Sequence, residues 1–238
     1  MRKTNGNKGE VLLIIPAYNE EKNIERVIDH IEKDYPEYDY VVINDGSKDH
    51  TSQICHEKGY NIIDLPVNLG LAGAFQTGML YAFLKQYSYA MQFDADGQHL
   101  PNYVDNILSK MKEGYDVVIG SRFVTEKKPL NMRMLGSNLI SFAIKVSTGT
   151  RIMDPTSGMR MYNQKMIREF ALNLNYGPEP DTISYLLQKG MKISETQVEM
   201  EERQEGRSYL SPGKAMMYMI RMLCSIMLIQ SFREKGKR

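Results

Sequence analysis

Tryptophan is absent from this 238-residue chain, and cysteine occurs only twice, at Cys55 and Cys224. The two cysteines form no CxxC pair and no zinc-ligand spacing, which argues against a disulfide framework or a structural zinc. Each falls in a segment with helical spacing and reads as a packing residue in a reducing, cytoplasmic setting. No apolar run approaches the roughly 18–20 residues that span a bilayer. Val11–Ile15, the first such run, is too short for a secretory leader and follows a polar start. Charge of one sign is lacking too: 30 basic residues stand against 29 acidic ones, for a formal net charge of +1. Such a balance offers no general basic field, and nucleic acid is not expected as a partner. GxGxxG and the P-loop pattern are both missing, which sets aside dinucleotide oxidoreductases and P-loop ATPases. Internal repeats, low-complexity tracts and long linkers are missing as well.

What the chain does have is an alternation of short apolar runs and amphipathic stretches. Val11–Ala17 reads as a buried strand, closed by Pro16 and the polar residues after it. Glu20–Lys33 has helical spacing at Ile24, Val27, Ile28 and Ile31. Further strands are predicted at Tyr38–Ile43, Asn61–Leu65, Tyr89–Phe93 and Asp116–Gly120, with helices at Asp49–Lys58, Leu71–Lys85 and Asn102–Lys112. This order predicts an α/β fold, a mostly parallel sheet with helices on both faces. After Gly120 the alternation loosens. Helices are predicted at Met134–Ser147, Gln164–Leu172 and Thr182–Gln188, and strands at Gly158–Tyr162 and Lys192–Met200. Lys214–Phe232 is helical and apolar over most of its circumference.

In open parallel sheets ligands sit beyond the carboxyl ends of the strands. Three polar motifs fall there. Asp94-Ala95-Asp96-Gly97 follows the fourth strand, and carboxylates at i and i+2 in a turn suit a hard divalent cation. The plainer reading is an Asx turn closing a strand. Asp45, before Gly46-Ser47, is placed to accept from a base N–H or a ribose hydroxyl; its plainer role, or that of Ser47 or Asp49, is to cap the next helix. Tyr18 offers a flat face for a base. Glu20 is placed at a helix N-terminus, where negative charge is favoured in any case. Asn68-Leu69-Gly70 opens a helix at which a ligand approaches closely. Arg122 after a strand is either phosphate-facing or a surface arginine.

The series Ile15-Pro16-Ala17-Tyr18-Asn19-Glu20, Asn44-Asp45-Gly46-Ser47-Lys48-Asp49, Asn68-Leu69-Gly70 and Asp94-Ala95-Asp96-Gly97-Gln98-His99 resembles the family 2 glycosyltransferases. Asp154-Pro155-Thr156-Ser157-Gly158-Met159-Arg160 is similar to the branch containing dolichyl-phosphate mannose synthases and polyprenyl-phosphate sugar transferases. The resemblance implies a single-domain GT-A fold and an inverting transfer from a nucleotide sugar of UDP or GDP type. It places Pro16, Tyr18, Glu20, Asp45, Gly70, Asp94, Arg122, Arg203 and Ser208 on the donor. It puts Asp94, Asp96 and Gln98 on Mg²⁺ or Mn²⁺, and Asp154, Thr156 and Ser157 near the acceptor. Residues 1–9 are then a flexible basic N-terminus and 10–212 the catalytic domain. That domain divides into a nucleotide-sugar half, 10–122, and an acceptor half, 123–212. Residues 213–238 form an apolar helix with a basic tail. Two departures bear on the acceptor: Gly97 stands where the mannose synthases usually carry a bulkier residue, and the C-terminal pair of membrane helices found in many polyprenyl-phosphate transferases is missing.

A hydroxyl acceptor needs a general base. Glu179 and Asp181, in the rigid turn Gly177-Pro178-Glu179-Pro180-Asp181, are the catalytic candidates beside Asp96, although N-capping alone accounts for Asp181. An anionic phosphate acceptor needs no base. The expected acceptor is lipid-linked, polyprenyl phosphate first, in cell-envelope glycan synthesis, with a saccharide hydroxyl as the alternative. A non-catalytic nucleotide-sugar-binding subunit is disfavoured by the presence of both Asp94 and Asp96. Met-rich Lys214–Phe232, with a polar stripe at Lys214, Tyr218, Arg221 and Ser225, reads either as a core or oligomer helix or as a helix lying in the cytoplasmic membrane surface. Leu135–Val146 is a second candidate for that surface.

Overall fold

Five consecutive apolar residues, Val11 to Ile15, are buried along strand β1 (Val11–Ala17). An unbroken apolar run is what a strand covered on both faces requires. Side chains alternate between the faces. Val11, Leu13 and Ile15 join one core with Ile24, Val27, Ile28 and Ile31 of α1 (Ile24–Asp34). Leu12 and Ile14 join the other core with Ala74, Phe75 and Met79 of α3 (Gly70–Leu84). Residues 9–97, 99–129, 132–173, 176–200 and 212–229 are described by the computed structural model.

β1 is flanked in parallel by β2 (Asp39–Asn44) and β4 (Tyr89–Gln92), and β3 (Ile62–Asp64) extends the sheet beyond β2. The connections are α1, α2 (Thr51–Lys58) and α3, and α4 (Val104–Met111) leads to β5 (Val117–Ser121). β6 (Arg160–Asn163) and β7 (Ile193–Gln197) complete a seven-stranded sheet in the order β3-β2-β1-β4-β6-β5-β7. The expected mostly parallel α/β sheet is present. β6 is the exception, running antiparallel between β4 and β5. A strand from the second half of the chain is therefore built into the sheet of the first, and the two halves share one scaffold. The chain reverses its direction of travel across the sheet between β3 and β4. The switch point lies between β1 and β4, where open α/β sheets bind their ligands.

Two local expectations are corrected. Helix α1 begins at Ile24 and not at Glu20, because the Glu20 carbonyl accepts from both the Asn23 and Ile24 N–H groups in a preceding turn. Cys55 is a packing residue whose burial pushes its thiol up to about 11, whereas Cys224 is exposed.

The C-terminal segment packs on α5 (Met132–Thr148) and α7 (Pro180–Gln188) as α8 (Pro212–Cys224), continued by a π-helical turn at Ser225–Ile229. Its orientation differs from the simple amphipathic reading. Tyr218, Met219, Met222, Ser225 and Ile226 face the protein. Met216, Met217, Ile220, Met227 and Leu228 face outward. Arg221 is exposed among them, and the side chain of Lys214 lies outside the described residues. Part of the polar stripe is thus the docking face, because Tyr218 and Ser225 find half-buried carboxylate acceptors. On α5 a second outward row, Leu135, Leu139, Phe142 and Val146, follows helical spacing. Among the described residues no helix is long and apolar enough to cross a membrane.

Candidate active site

The loops after β1 and β2 are stitched together by the polar residues of their motifs. The Asp45 N–H donates to the Ala17 carbonyl at 2.8 Å. Asn19, in the left-handed region at φ 57°, donates its N–H to Ser47 Oγ at 3.0 Å and accepts from the Lys48 N–H at 2.8 Å. Ser47 therefore braces this loop and does not cap α2; Asp49 accepts from the Thr51 N–H at 3.0 Å. The Leu69 N–H, after β3, donates to Asp45 Oδ1 at 2.7 Å. Gly46 permits this approach, since a Cβ there would lie 2.7 Å from the Val67 and Asn68 backbone and its φ is +65°.

A crevice of about 430 Å³ opens above these loops. Of the predicted donor contacts, Pro16, Tyr18, Glu20, Asp45, Gly70 and Asp94 all line it, and so does Asp96. Asp45 is only 4% exposed. Glu20 is buried beneath the rim, where its N–H donates to Thr51 Oγ1 at 2.9 Å and its carboxylate accepts from Asn23 Nδ2 at 2.8 Å.

Asp94 keeps 35% of its side chain exposed, yet it is held on several sides. Its Oδ1 accepts from Gln92 Nε2 at 3.2 Å, and Gly158 packs so closely that a Cβ would lie 2.9 Å from Oδ2. The Asp94 N–H donates to His99 Nδ1 at 2.9 Å, and His99 Nε2 lies 3.3 Å from Asp94 Oδ2. Neither Gln92 nor His99 was assigned a role from the sequence. A buried glutamine in an apolar strand, two residues before the first carboxylate, was the available signal. Among the described residues no group of three or more His, Cys, Asp or Glu side chains forms a metal cluster. Two carboxylates on one crevice suit a hard cation that completes its shell with water and substrate phosphate oxygens. The donor set therefore fits Mg²⁺ or Mn²⁺ bound together with a diphosphate. Gln98, Arg203 and Ser208 lie outside the described residues.

The structure does not bring Arg122, Asp154, Thr156 or Ser157 into the lining of this crevice. Arg122 forms a two-pronged pair with Asp154, Nε to Oδ2 at 2.7 Å and Nη2 to Oδ1 at 2.9 Å. Asp154 is fully buried and also accepts from the Arg122 N–H and from Thr156 Oγ1. Ser157 is buried, donating to the Gly120 carbonyl at 2.6 Å. Asp154 and Ser157, expected at the acceptor, are therefore corrected to residues that shape the loop; Thr156 remains exposed. Glu195 accepts the Met153 and Asp154 N–H groups, and burial raises its pKa. Half-buried Lys128 sits beside this group, its pKa lowered by burial, and donates to Ser137 Oγ at 3.1 Å.

Glu179 and Asp181 are also outside that lining and are engaged by the C-terminal helix. Tyr218 donates its hydroxyl to Glu179, and Ser225 Oγ donates to Asp181 at 2.6 Å. Asp181 is no N-cap: α7 is entered from Glu179, whose carbonyl accepts the Thr182 N–H. Buried Arg160 holds the turn from beneath, donating to the carbonyls of Ser157, Pro155 and Pro178. Gly177 packs against Ala72 in the first turn of α3, which brings the acidic turn to the crevice edge.

Sheet order and crevice define an α/β protein with an open crevice across the ends of β1, β2 and β4. The model of Glycosyl transferase family 2 matches residues 12–170, and the chain belongs to that family. An undecaprenyl-phosphate mannosyltransferase of Micrococcus luteus is 28% identical over 85% of this chain and 88% of its own. A UDP-N-acetylglucosamine–dolichyl-phosphate N-acetylglucosaminyltransferase of Methanococcus voltae is 32% identical over 66% of this chain and 71% of its own. Among solved structures, glucosyl-3-phosphoglycerate synthase of Mycobacterium tuberculosis, in complex with Mn²⁺, UDP and phosphoglyceric acid, superposes with a TM-score of 0.65. It is 21% identical, covering 92% of this chain and 78% of that one, and bears on the fold alone.

Asp154→Asn should lower stability by about 3 kcal/mol, because it leaves the Arg122 guanidinium without its charge partner in a buried setting. Urea denaturation measures this. An unchanged midpoint would return Asp154 to the role of a ligand contact.

Proposed function

We propose that the protein transfers a sugar, with inversion, from a UDP- or GDP-type nucleotide sugar to a lipid-linked acceptor, polyprenyl phosphate being the first choice. The observation that carries the donor reading is the convergence of Asp45, Asp94 and Asp96 on one crevice at the switch point. In this reading Asp45 accepts from the base, Tyr18 lines the base site, and Asp94 and Asp96 face the ribose and diphosphate. Bound Mg²⁺ or Mn²⁺ would supply neutralising charge to the diphosphate leaving group.

The acid turn favours a phosphate acceptor over a saccharide hydroxyl. Glu179 and Asp181 each accept a hydroxyl hydrogen bond from the C-terminal helix, which occupies one oxygen of each carboxylate. A phosphate nucleophile needs only cations to position it. In this reading Lys128, half-buried beside the Arg122–Asp154 pair, is the candidate to supply one. Incubation with nucleotide sugar, Mn²⁺ and polyprenyl phosphate should move the sugar label into the organic phase. Asp96→Ala or EDTA should lower that product at least 100-fold with the fold intact; full activity in either would sink the mechanism.

The outward rows on α5 and α8 support a position at a membrane surface, which in this reading is the cytoplasmic face, in cell-envelope glycan synthesis. Phe142 is 65% and Met217 67% exposed, an unusual cost for a surface that meets only water. Burying such side chains contributes about 25 cal/mol per Å². The full chain should float with anionic liposomes, and the Met217→Glu/Ile220→Glu variant should remain at the bottom of the gradient. If the parent stays soluble as a dimer and the variant is a monomer, these rows join two copies of the chain.

A further inference from the structure

Behind Asp94, outside the lining of the crevice itself, lies a histidine that none of the donor, metal or acceptor roles uses. The His99 side chain is only 2% exposed and is packed edge-to-face on Phe93 at 5.5 Å between ring centres. Its backbone bridges to Met200. Both nitrogens are directed at one residue. Nδ1 accepts the Asp94 N–H at 2.9 Å, which leaves the ring proton on Nε2, 3.3 Å from Asp94 Oδ2. Gln92 Nε2 reaches the other carboxylate oxygen at 3.2 Å.

We infer that His99 is a positioning residue that fixes the carboxylate of Asp94 for the metal–diphosphate group of the donor. The physical need is clear. A carboxylate after a strand end, with 35% of its side chain open to solvent, samples several rotamers, and each lost rotamer costs binding energy. With the Gln92 amide on Oδ1 and the His99 ring 3.3 Å from Oδ2, the outward lone pairs are left as the ligand face. The part-buried N–H of Asp94 is paired by Nδ1 of the same ring, which fixes backbone and side chain together. Glycine at 158 completes the clamp by letting the chain pass directly against Oδ2. Second-sphere partners of this kind typically account for 10–100-fold in metal affinity.

This inference rests on the reading of Asp94 as a carboxylate that meets the metal–diphosphate group. Mn²⁺ affinity in the presence of UDP or GDP, followed by loss of the free-ion paramagnetic signal, tests both separately. Asp94→Asn should lose Mn²⁺ binding; if it binds as the parent does, the reading of Asp94 itself fails. His99→Ala should weaken Mn²⁺ about 10–100-fold. Nucleotide affinity measured without metal should stay at the parental value, because the Asp45 end of the crevice is untouched. General damage to the fold would weaken both. His99→Asn keeps an acceptor for the Asp94 N–H but cannot reach Oδ2, so it should show a smaller loss of about tenfold and serves if the alanine variant does not fold. Parental Mn²⁺ affinity in either folded His99 variant, with Asp94→Asn defective, would overturn the positioning role.

Discussion

The hydrogen bond from the Leu69 N–H to Asp45 Oδ1, 2.7 Å long, is the contact on which the site depends. Asp45 is at the same time tied through its own N–H to the end of β1. One residue thus joins the loops that follow three strands. With Oδ1 occupied, Oδ2 of a nearly buried carboxylate is left, in the proposed reading, as the ligand face, set in place before any ligand arrives. Such preorganisation matters because ordering a side chain at the moment of binding would subtract from affinity. Asp94 repeats the device on the other wall, with Gln92 and His99 behind it.

The C-terminal helix gives the crevice its second relation to the surroundings. A helix this apolar would normally turn its methionines inward. Here Tyr218 and Ser225 are drawn inward because Glu179 and Asp181 offer carboxylate acceptors, and a charge-assisted hydrogen bond is worth about as much as burying one methionine. The remaining methionines and Ile220 are consequently exposed beside the outward row of α5. The same contacts connect that surface to the acidic turn, and Gly177 against Ala72 connects the turn to the crevice edge.

Much of this was legible in the sequence where the signal is local. The unbroken run at Val11–Ile15 and the spacing of Ile24, Val27, Ile28 and Ile31 identify β1 and α1, because burial on a strand or helix leaves a periodic trace. Strand-end motifs located the crevice for the same reason. Pairings between distant residues leave no such trace. Arg122 and Asp154 stand 32 positions apart, and nothing in either segment announces that each satisfies the other. The insertion of β6 between β4 and β5 and the side of α8 that faces inward were equally invisible. An apolar count shows how much of a helix avoids water, not which face packs. Glu20 and Ser47 were misplaced locally because side chain-to-backbone bonds across two loops compete with helix capping.

The central claim is that a nucleotide lies across the ends of β1, β2 and β4 with its base on Asp45. Calorimetry of UDP and GDP against the parent and Asp45→Asn tests it most directly. The asparagine keeps an oxygen for the Leu69 N–H but presents an N–H₂ group to the base. The account predicts a loss of about 10–100-fold in nucleotide affinity, the equivalent of one charge-assisted hydrogen bond, with the melting temperature preserved. Equal affinity in the two proteins would show that Asp45 only ties loops together, and would contradict the account.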